Sequence, residues 1–167
     1  MNNGILYISC GLPGSGKSTF LNDVKSNDEV IVSRDDIRFS LLKPGEPYFS
    51  HEHQVFNVFT DTIIKNIKAG KNVYADATHL NSSSRNKLIY GLFNKGCHPS
   101  KIVAIYFDIP LATCIERDKL RSGTNRYVGS TIIENMARNT YKPNLEFERN
   151  ICELFIVDAD GDISKEE

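Results

Sequence analysis

The chain has 167 residues, of which 40% are hydrophobic and 25% charged, with a formal net charge of −1. That size fits one domain with a sizeable core, spanning the chain from residue 1 to residue 167. Near-neutrality argues against tracking long duplexes through overall charge, and leaves a local site that reads an end or a small molecule, or a local basic patch. No apolar run approaches the length of a membrane span, and the start carries no basic stretch followed by an apolar core and cleavage site. The expected setting is the cytoplasm, with no membrane partner. Cys10, Cys97, Cys114 and Cys152 are scattered without a C-x-x-C pair and read as reduced thiols. His51-Glu52-His53 has no matching Cys or His cluster, so a structural metal is not expected there.

Ile5 to Cys10 is an apolar, partly β-branched run that reads as a buried strand. It leads into Gly11-Leu12-Pro13-Gly14-Ser15-Gly16-Lys17-Ser18, which has the G-x-x-x-x-G-K-S spacing of a P-loop. Phe20, Leu21 and Val24 then recur at helical spacing. Strand, glycine loop and helix are the context that gives this motif meaning. The glycines bring backbone N–H groups against phosphate oxygens, and the helix directs the positive end of its dipole to the same place. Gly14, Ser15, Gly16, Lys17, Ser18 and Thr19 are therefore expected to hold a nucleoside triphosphate. Lys17 would reach the β- and γ-phosphates, and the Ser18 hydroxyl would sit on Mg²⁺.

Glu29 to Ser33 reads as a second strand, running into Arg34-Asp35-Asp36-Ile37-Arg38 and a short helix expected to start at Asp35 or Asp36. Lys43 to Pro47 breaks it. Val55, Val58, Phe59, Ile63 and Ile67 mark a helix over about residues 50–69, stopped by Gly70. Asn72 to Asp76 is the third strand, Ser82 to Lys95 a helix, Lys101 to Phe107 the fourth strand, and Pro110 to Leu120 a helix before a polar loop to Gly129. Ser130 is expected to cap a further helix, with Glu134 near the capping-box position, and Cys152 to Val157 is the last strand. Alternating strands and helices imply an α/β three-layer fold with a mainly parallel, five-stranded sheet.

In such sheets ligands gather beyond the carboxyl ends of the strands. The polar residues there are the P-loop, Arg34 to Arg38, Asp76 with Thr78 and His79, Asp108 with Arg117 and Arg121 after it, and Asp158. Phosphoryl transfer needs a held nucleotide, Mg²⁺, positive charge on the moving group and a base for the nucleophile. Asp35 is the first choice for that base, and Asp36 the second, with helix capping as its alternative role. Arg38, one turn on, suits an anionic group on the acceptor. Asp76 is expected near the Mg²⁺ shell, or holding the Ser18 or Thr78 hydroxyl. Arg117 and Arg121 lie four apart and suggest a mobile lid over the phosphates, at about residues 112–130. Arg126 and Arg138 are weaker candidates.

The set G-L-P-G-S-G-K-S-T, S-R-D-D-I-R, D-A-T-H-L-N and F-D-I-P with arginines after it resembles the 5′-kinase domain of phage polynucleotide kinase-phosphatase and its relatives, over about residues 4–150. The resemblance implies an adenylate-kinase-like P-loop fold with a helical lid, ATP as donor, a 5′-hydroxyl end of RNA or DNA as acceptor, and a place in nucleic-acid end repair. It implies that Lys17 and Ser18 hold phosphates and metal, Asp35 is the general base, Arg38 binds the acceptor phosphate next to the 5′ nucleoside, and Arg121, supported by Arg117, is the lid arginine. Thr78 is expected near the substrate. Two departures stand out. Asp76-Ala77-Thr78-His79 is one residue longer than the usual D-T-N, and the phosphatase part is not matched. Two other readings share parts of this pattern. A small-metabolite kinase would use the same cleft chemistry on a sugar, nucleoside or antibiotic hydroxyl. A GTPase-like switch fits less well, because Asn94-Lys95-Gly96-Cys97 lacks the aspartate of N-K-x-D.

Overall fold

The computed structural model describes residues 2–166. The chain runs β1 (Ile5–Cys10), α1 (Lys17–Val24), β2 (Val30–Ser33), α2 (Arg34–Leu41), α3 (Glu52–Lys68), β3 (Val73–Asp76), α4 (Ser82–Asn94), β4 (Lys101–Phe107), α5 (Leu111–Lys119), α6 (Ser130–Arg138), β5 (Glu153–Val157) and β6 (Ile163–Glu166). The sheet order is β2-β3-β1-β4-β5-β6, with the first five strands parallel and β6 antiparallel to β5.

Alternation along the strands divides the core between two faces of the sheet. Leu6, Ile8 and Cys10 of β1 pack with Phe59, Ile63 and Ile67 of α3 and with Leu88, Ile89 and Leu92 of α4. The other face gathers Leu21 of α1, Tyr74, Ile105 and Phe107, with the Tyr7 and Tyr74 rings stacked at 4.6 Å between centroids. Each fully buried aliphatic or phenyl side chain contributes roughly 1.5–3 kcal/mol. The chain passes from β1 to the edge at β2, returns through β3, and crosses β1 to reach β4. The carboxyl end of β1 is thus the switch point of the sheet, where a ligand crevice forms. No helix among the described residues is long and apolar enough to cross a membrane.

Three local expectations are corrected. The sheet has six strands rather than five among the described residues. Ile163 to Lys165 of β6 are exposed, so no buried face announces the strand in the sequence. Its formation rests on a turn in which the Asp158 carboxylate accepts from the N–H groups of Asp160 and Asp162, each at 2.9 Å, and Gly161 takes φ of 82°. Helix α2 starts at Arg34, because the Ser33 hydroxyl accepts from the Asp36 N–H at 3.2 Å; the Asp36 side chain is not the cap. Ser130 is likewise the first residue of α6 and not its cap, which is Gly129 at φ 103°. The buried Asp118 carboxylate fixes the approach to α6 instead, accepting from Val128 N–H at 3.0 Å and Gly129 N–H at 2.8 Å.

One buried ion pair ties the turn after β3 to the segment ahead of β5. Arg85, 1% exposed, donates to Glu148 at 2.7 and 3.1 Å, and to the carbonyls of His79 and Tyr141 at 2.9 and 3.1 Å. Burying a guanidinium is tolerable because each side of it is matched. Removing one partner strands a buried charge, at a cost of about 3–5 kcal/mol, whereas replacing both with apolar side chains costs less. Urea unfolding should therefore rank Arg85→Met and Glu148→Leu singly as more damaging than the double variant. A double variant that loses the sum of the two single losses would show that the pair carries no coupling.

Candidate active site

The P-loop leaves β1 at the switch point and is held on three sides. Gly11 N–H donates to the Thr78 carbonyl at 2.9 Å, which fixes the loop to the turn after β3. Gly14, at φ 80°, lies against α5 so closely that a Cβ there would sit 2.4 Å from the Cys114 carbonyl oxygen. Arg117 reaches the Gly14 carbonyl through Nη1 at 3.4 Å. Side chains other than hydrogen are thus excluded at Gly14 both by conformation and by space.

Lys17 is the buried cation of the site. Its Nζ donates to the carbonyls of Gly11 at 3.0 Å and Leu12 at 2.8 Å. Burial pushes its pKa down, and the charges of Asp76 and Asp35 oppose that shift. Ser18 Oγ donates to Asp76 Oδ2 at 2.7 Å, so the hydroxyl-holding role considered for Asp76 is present. Burial also pushes the Asp76 carboxyl up, against the Ser18 hydrogen bond and the Lys17 charge. A hydroxyl and a carboxylate side by side are hard oxygen donors of the kind that suit Mg²⁺. Ser15 is buried under the loop and Thr19 is exposed at the start of α1. Both Gly16 and Thr19 line the same cleft as Lys17.

That cleft has a volume of about 670 Å³ and joins the P-loop to the start of α2. Asp35, Arg38, Asp76, Thr78, Arg117 and Arg121 all line it. Asp35 is half exposed and accepts from the Tyr48 hydroxyl at 2.7 Å and from Arg38. Arg38 and Asp35 therefore meet, as their spacing on α2 requires. Arg38 is otherwise placed differently from expectation. It is buried, forms a bidentate pair with Glu52 of α3 at 2.7 and 2.6 Å, donates to Tyr48 at 2.8 Å, and lies 4.5 Å from the centroid of the Tyr48 ring. Its Arg38 bonds hold Glu52 below the usual carboxylate range. The guanidinium is occupied by side chains of this protein, and it fixes Asp35 from behind.

Helix α5 and the loop after it, where the sequence suggests a lid, line the other side of the cleft. Arg121 pairs with Asp118 at 3.2 Å, and its Nε is buried without a partner. The only other such side-chain atom among the described residues is Arg34 Nε, in the same cleft. Arg126 pairs with Asp36 at 2.6 Å, which joins the lid loop to α2. Arg138 is absent from the cleft lining and donates to Asn135 at 2.8 Å on its own helix. His79 is buried at φ 40°, with Nδ1 donating to the Ser9 carbonyl at 2.8 Å, and burial lowers its pKa to about 4. It is a neutral, inward-facing ring near neutral pH. His51 pairs with Glu46 and His53 with Asn57, so the His51-Glu52-His53 run is divided among three different partners.

Sequence reasoning missed Glu52, Tyr48 and Asp118, and placed Arg34 at the rim without a role. The first two come from outside α2 and are brought in only by tertiary packing. Asp118 was visible as an acid between the two lid arginines, and Arg34 as the cation directly before Asp35.

A family model for the AAA domain matches residues 6–143. No curated protein matches the chain. Among solved structures, a chain of the Pnkp1/Rnl/Hen1 RNA repair complex is similar at 24% identity and a TM-score of 0.69, over 89% of this chain and 46% of that one. This chain thus spans less than half the length of that relative. Kti12 of Chaetomium thermophilum, solved with ADP-AlF3, is similar at 16% identity and a TM-score of 0.66, over 94% and 90% of the two chains. A gluconokinase of Sinorhizobium meliloti is similar at 16% identity and a TM-score of 0.59, over 95% and 84%. The shared architecture is the nucleotide-binding P-loop kinase fold, in agreement with the resemblance carried by the motifs. With the model matched across most of its length, the chain belongs to the AAA domain family.

Proposed function

We propose that the protein is an ATP-dependent kinase that transfers the γ-phosphate to the 5′-hydroxyl end of RNA or DNA, in nucleic-acid end repair. The observation that carries this reading is the single cleft that holds Lys17 on one wall and Asp35 on another, with Asp35 held from behind by Arg38 and Tyr48. The motif set, and the likeness to a chain of an RNA repair complex, support a polynucleotide acceptor.

In the proposed step, Asp35 accepts the proton of the 5′-hydroxyl while that oxygen forms a bond to the γ-phosphorus. The bond from the γ-phosphorus to its bridging oxygen breaks, and the electron pair leaves on ADP. Lys17, Gly14, Ser15, Gly16, Ser18 and Thr19 hold the triphosphate. Arg121, whose Nε has no partner, supplies positive charge to the phosphoryl group as it moves, with Arg117 beside it. Ser18 and Asp76 would hold Mg²⁺, which when bound neutralises charge on the phosphates. Thr78 and Arg38 border the acceptor, Arg38 chiefly by setting the position of Asp35.

One observation favours a second reading. Arg38 is engaged by Glu52, Asp35 and Tyr48, so it is not a free clamp for an acceptor phosphate. A kinase for a small metabolite hydroxyl needs no such clamp. Labelled transfer from γ-³²P-ATP separates the two. A 5′-hydroxyl oligonucleotide should take the label at its 5′ end, and the same strand already carrying a 5′-phosphate should take none. Label on gluconate or a free nucleoside with none on the strand would establish the metabolite reading instead.

Asp76 gives a second test that needs no acceptor. Burial raises its folded-state pKa above the unfolded value of about 3.9, so the folded chain binds that proton more tightly. Stability falls as pH rises through the window between the two values, and above it the ionised carboxylate is a net cost to the free protein. Asp76→Asn keeps an acceptor for the Ser18 hydroxyl and removes this charge. Its melting temperature without nucleotide at pH 7 should equal or exceed that of wild type, and the extra stabilisation that Mg²⁺ adds to ATP should be lost. A lower melting temperature with that Mg²⁺ effect intact would contradict the placement of the metal.

A further inference from the structure

Arg34, Phe56 and Lys87, on the wall of the cleft formed by α2, α3 and α4, have no part in the step above. Phe56 of α3 lies there, with two cations on its ring. Arg34 is 5.6 Å and Lys87 4.6 Å from the ring centroid, and all three residues line the cleft. Attraction to the ring holds each cation but does not neutralise it. The nearest carboxylate is Glu52, 3.5 Å from Arg34 and already bidentate to Arg38. Burial pushes the Arg34 guanidinium below its ordinary pKa, and Glu52 offsets this only in part. Arg34 Nε is buried without a hydrogen-bond partner, and Lys87 has no ion-pair partner among the described residues. An unpartnered buried donor and an unpaired exposed ammonium on one wall are a place where an anion gains charge-assisted hydrogen bonds without displacing any.

We propose that Arg34 and Lys87, flanking Phe56, form a second acceptor subsite that takes a phosphodiester group of a single strand entering by its 5′ end. This rests on the polynucleotide reading, and it moves the acceptor's phosphate contact away from Arg38. Arg34, Phe56 and Lys87 line the same cleft as Asp35, so a strand with its terminal hydroxyl at Asp35 leaves along this wall. Lys87 stands at the exposed edge, where the strand would emerge. A nucleotide donor seated on the P-loop would not need either residue.

The test is the salt dependence of binding of a single-stranded 5′-hydroxyl oligonucleotide, read by fluorescence anisotropy with Mg²⁺ and ADP present. Each phosphate contact contributes about 0.7 to the slope of log K against log salt for single strands. Lys87→Ala should lower the slope by about that amount and weaken binding by roughly fivefold to tenfold at low salt. Arg34→Gln should do the same, and the two together should add. Lys95→Ala, which removes a cation paired with Asp61 at the far end of α4, should match wild type. Lys87 is exposed, so its replacement leaves the core intact. Inorganic phosphate as competitor should reduce binding of wild type more than of Lys87→Ala. A Lys87→Ala protein with the wild-type slope and affinity would overturn the subsite, even if the strand is phosphorylated. If the variants show the loss in binding and wild type transfers no label to the strand, the subsite stands and the kinase assignment fails. If ATP affinity falls in Lys87→Ala while strand binding does not, these cations belong to the donor and the proposal is wrong.

Discussion

Burying an ammonium group is the constraint on which this site depends. Lys17 lies beneath the P-loop, where its charge has little water, and its donors are met by loop carbonyls. Such a group keeps its charge only if opposite charge is close. Asp76 at the end of β3 and Asp35 at the start of α2 provide it, and both reach the loop because β2, β3 and β1 are neighbours in the sheet. The strand order is therefore part of the electrostatics of the site. Burial, and not the nearby Lys17 charge, is what makes an ionised Asp76 costly in the free protein.

A second network holds Asp35. Arg38 is fastened to Glu52 on α3, and through Nη1 to Asp35 and Tyr48. Two helices that meet at their polar ends thus position one carboxylate. Because Asp35 stays half exposed while Arg38 is buried, it is oriented without being withdrawn from the cleft. The lid has an equivalent device in Asp118, which accepts from Arg121 and from the amides that lead into α6. The ion pair between Arg126 and Asp36 connects the loop after α5 to α2.

Much of this was legible in the chain itself, and the limits have physical causes. Strands β1 and β4 are buried on both faces and read as unbroken apolar runs, and α3 shows its core stripe at Val55, Phe59, Ile63 and Ile67. The P-loop and the residues past each strand follow from spacing and from where parallel sheets gather ligands. The strand β6 was not legible, because its pairing is carried by backbone and an aspartate turn rather than by an apolar pattern. The starts of α2 and α6 were misread because Ser33 accepts from the Asp36 N–H, which puts Asp36 inside α2, and because Gly129 ends the approach to α6 with its amide held by Asp118 from the preceding helix. Arg38 looked free because Glu52, fourteen residues on, has no sequence signal that marks it as a partner.

The most direct measurement is the single-turnover rate of γ-phosphate transfer by Asp35→Asn, with ATP and a 5′-hydroxyl oligonucleotide both saturating. An amide keeps the hydrogen bond from Tyr48 but cannot take up the hydroxyl proton. The rate should fall by about a hundredfold or more, with ATP binding retained. Transfer by Asp35→Asn at the wild-type rate would contradict the assignment of Asp35 as the base, and with it the reading of the cleft as one site joining donor and acceptor.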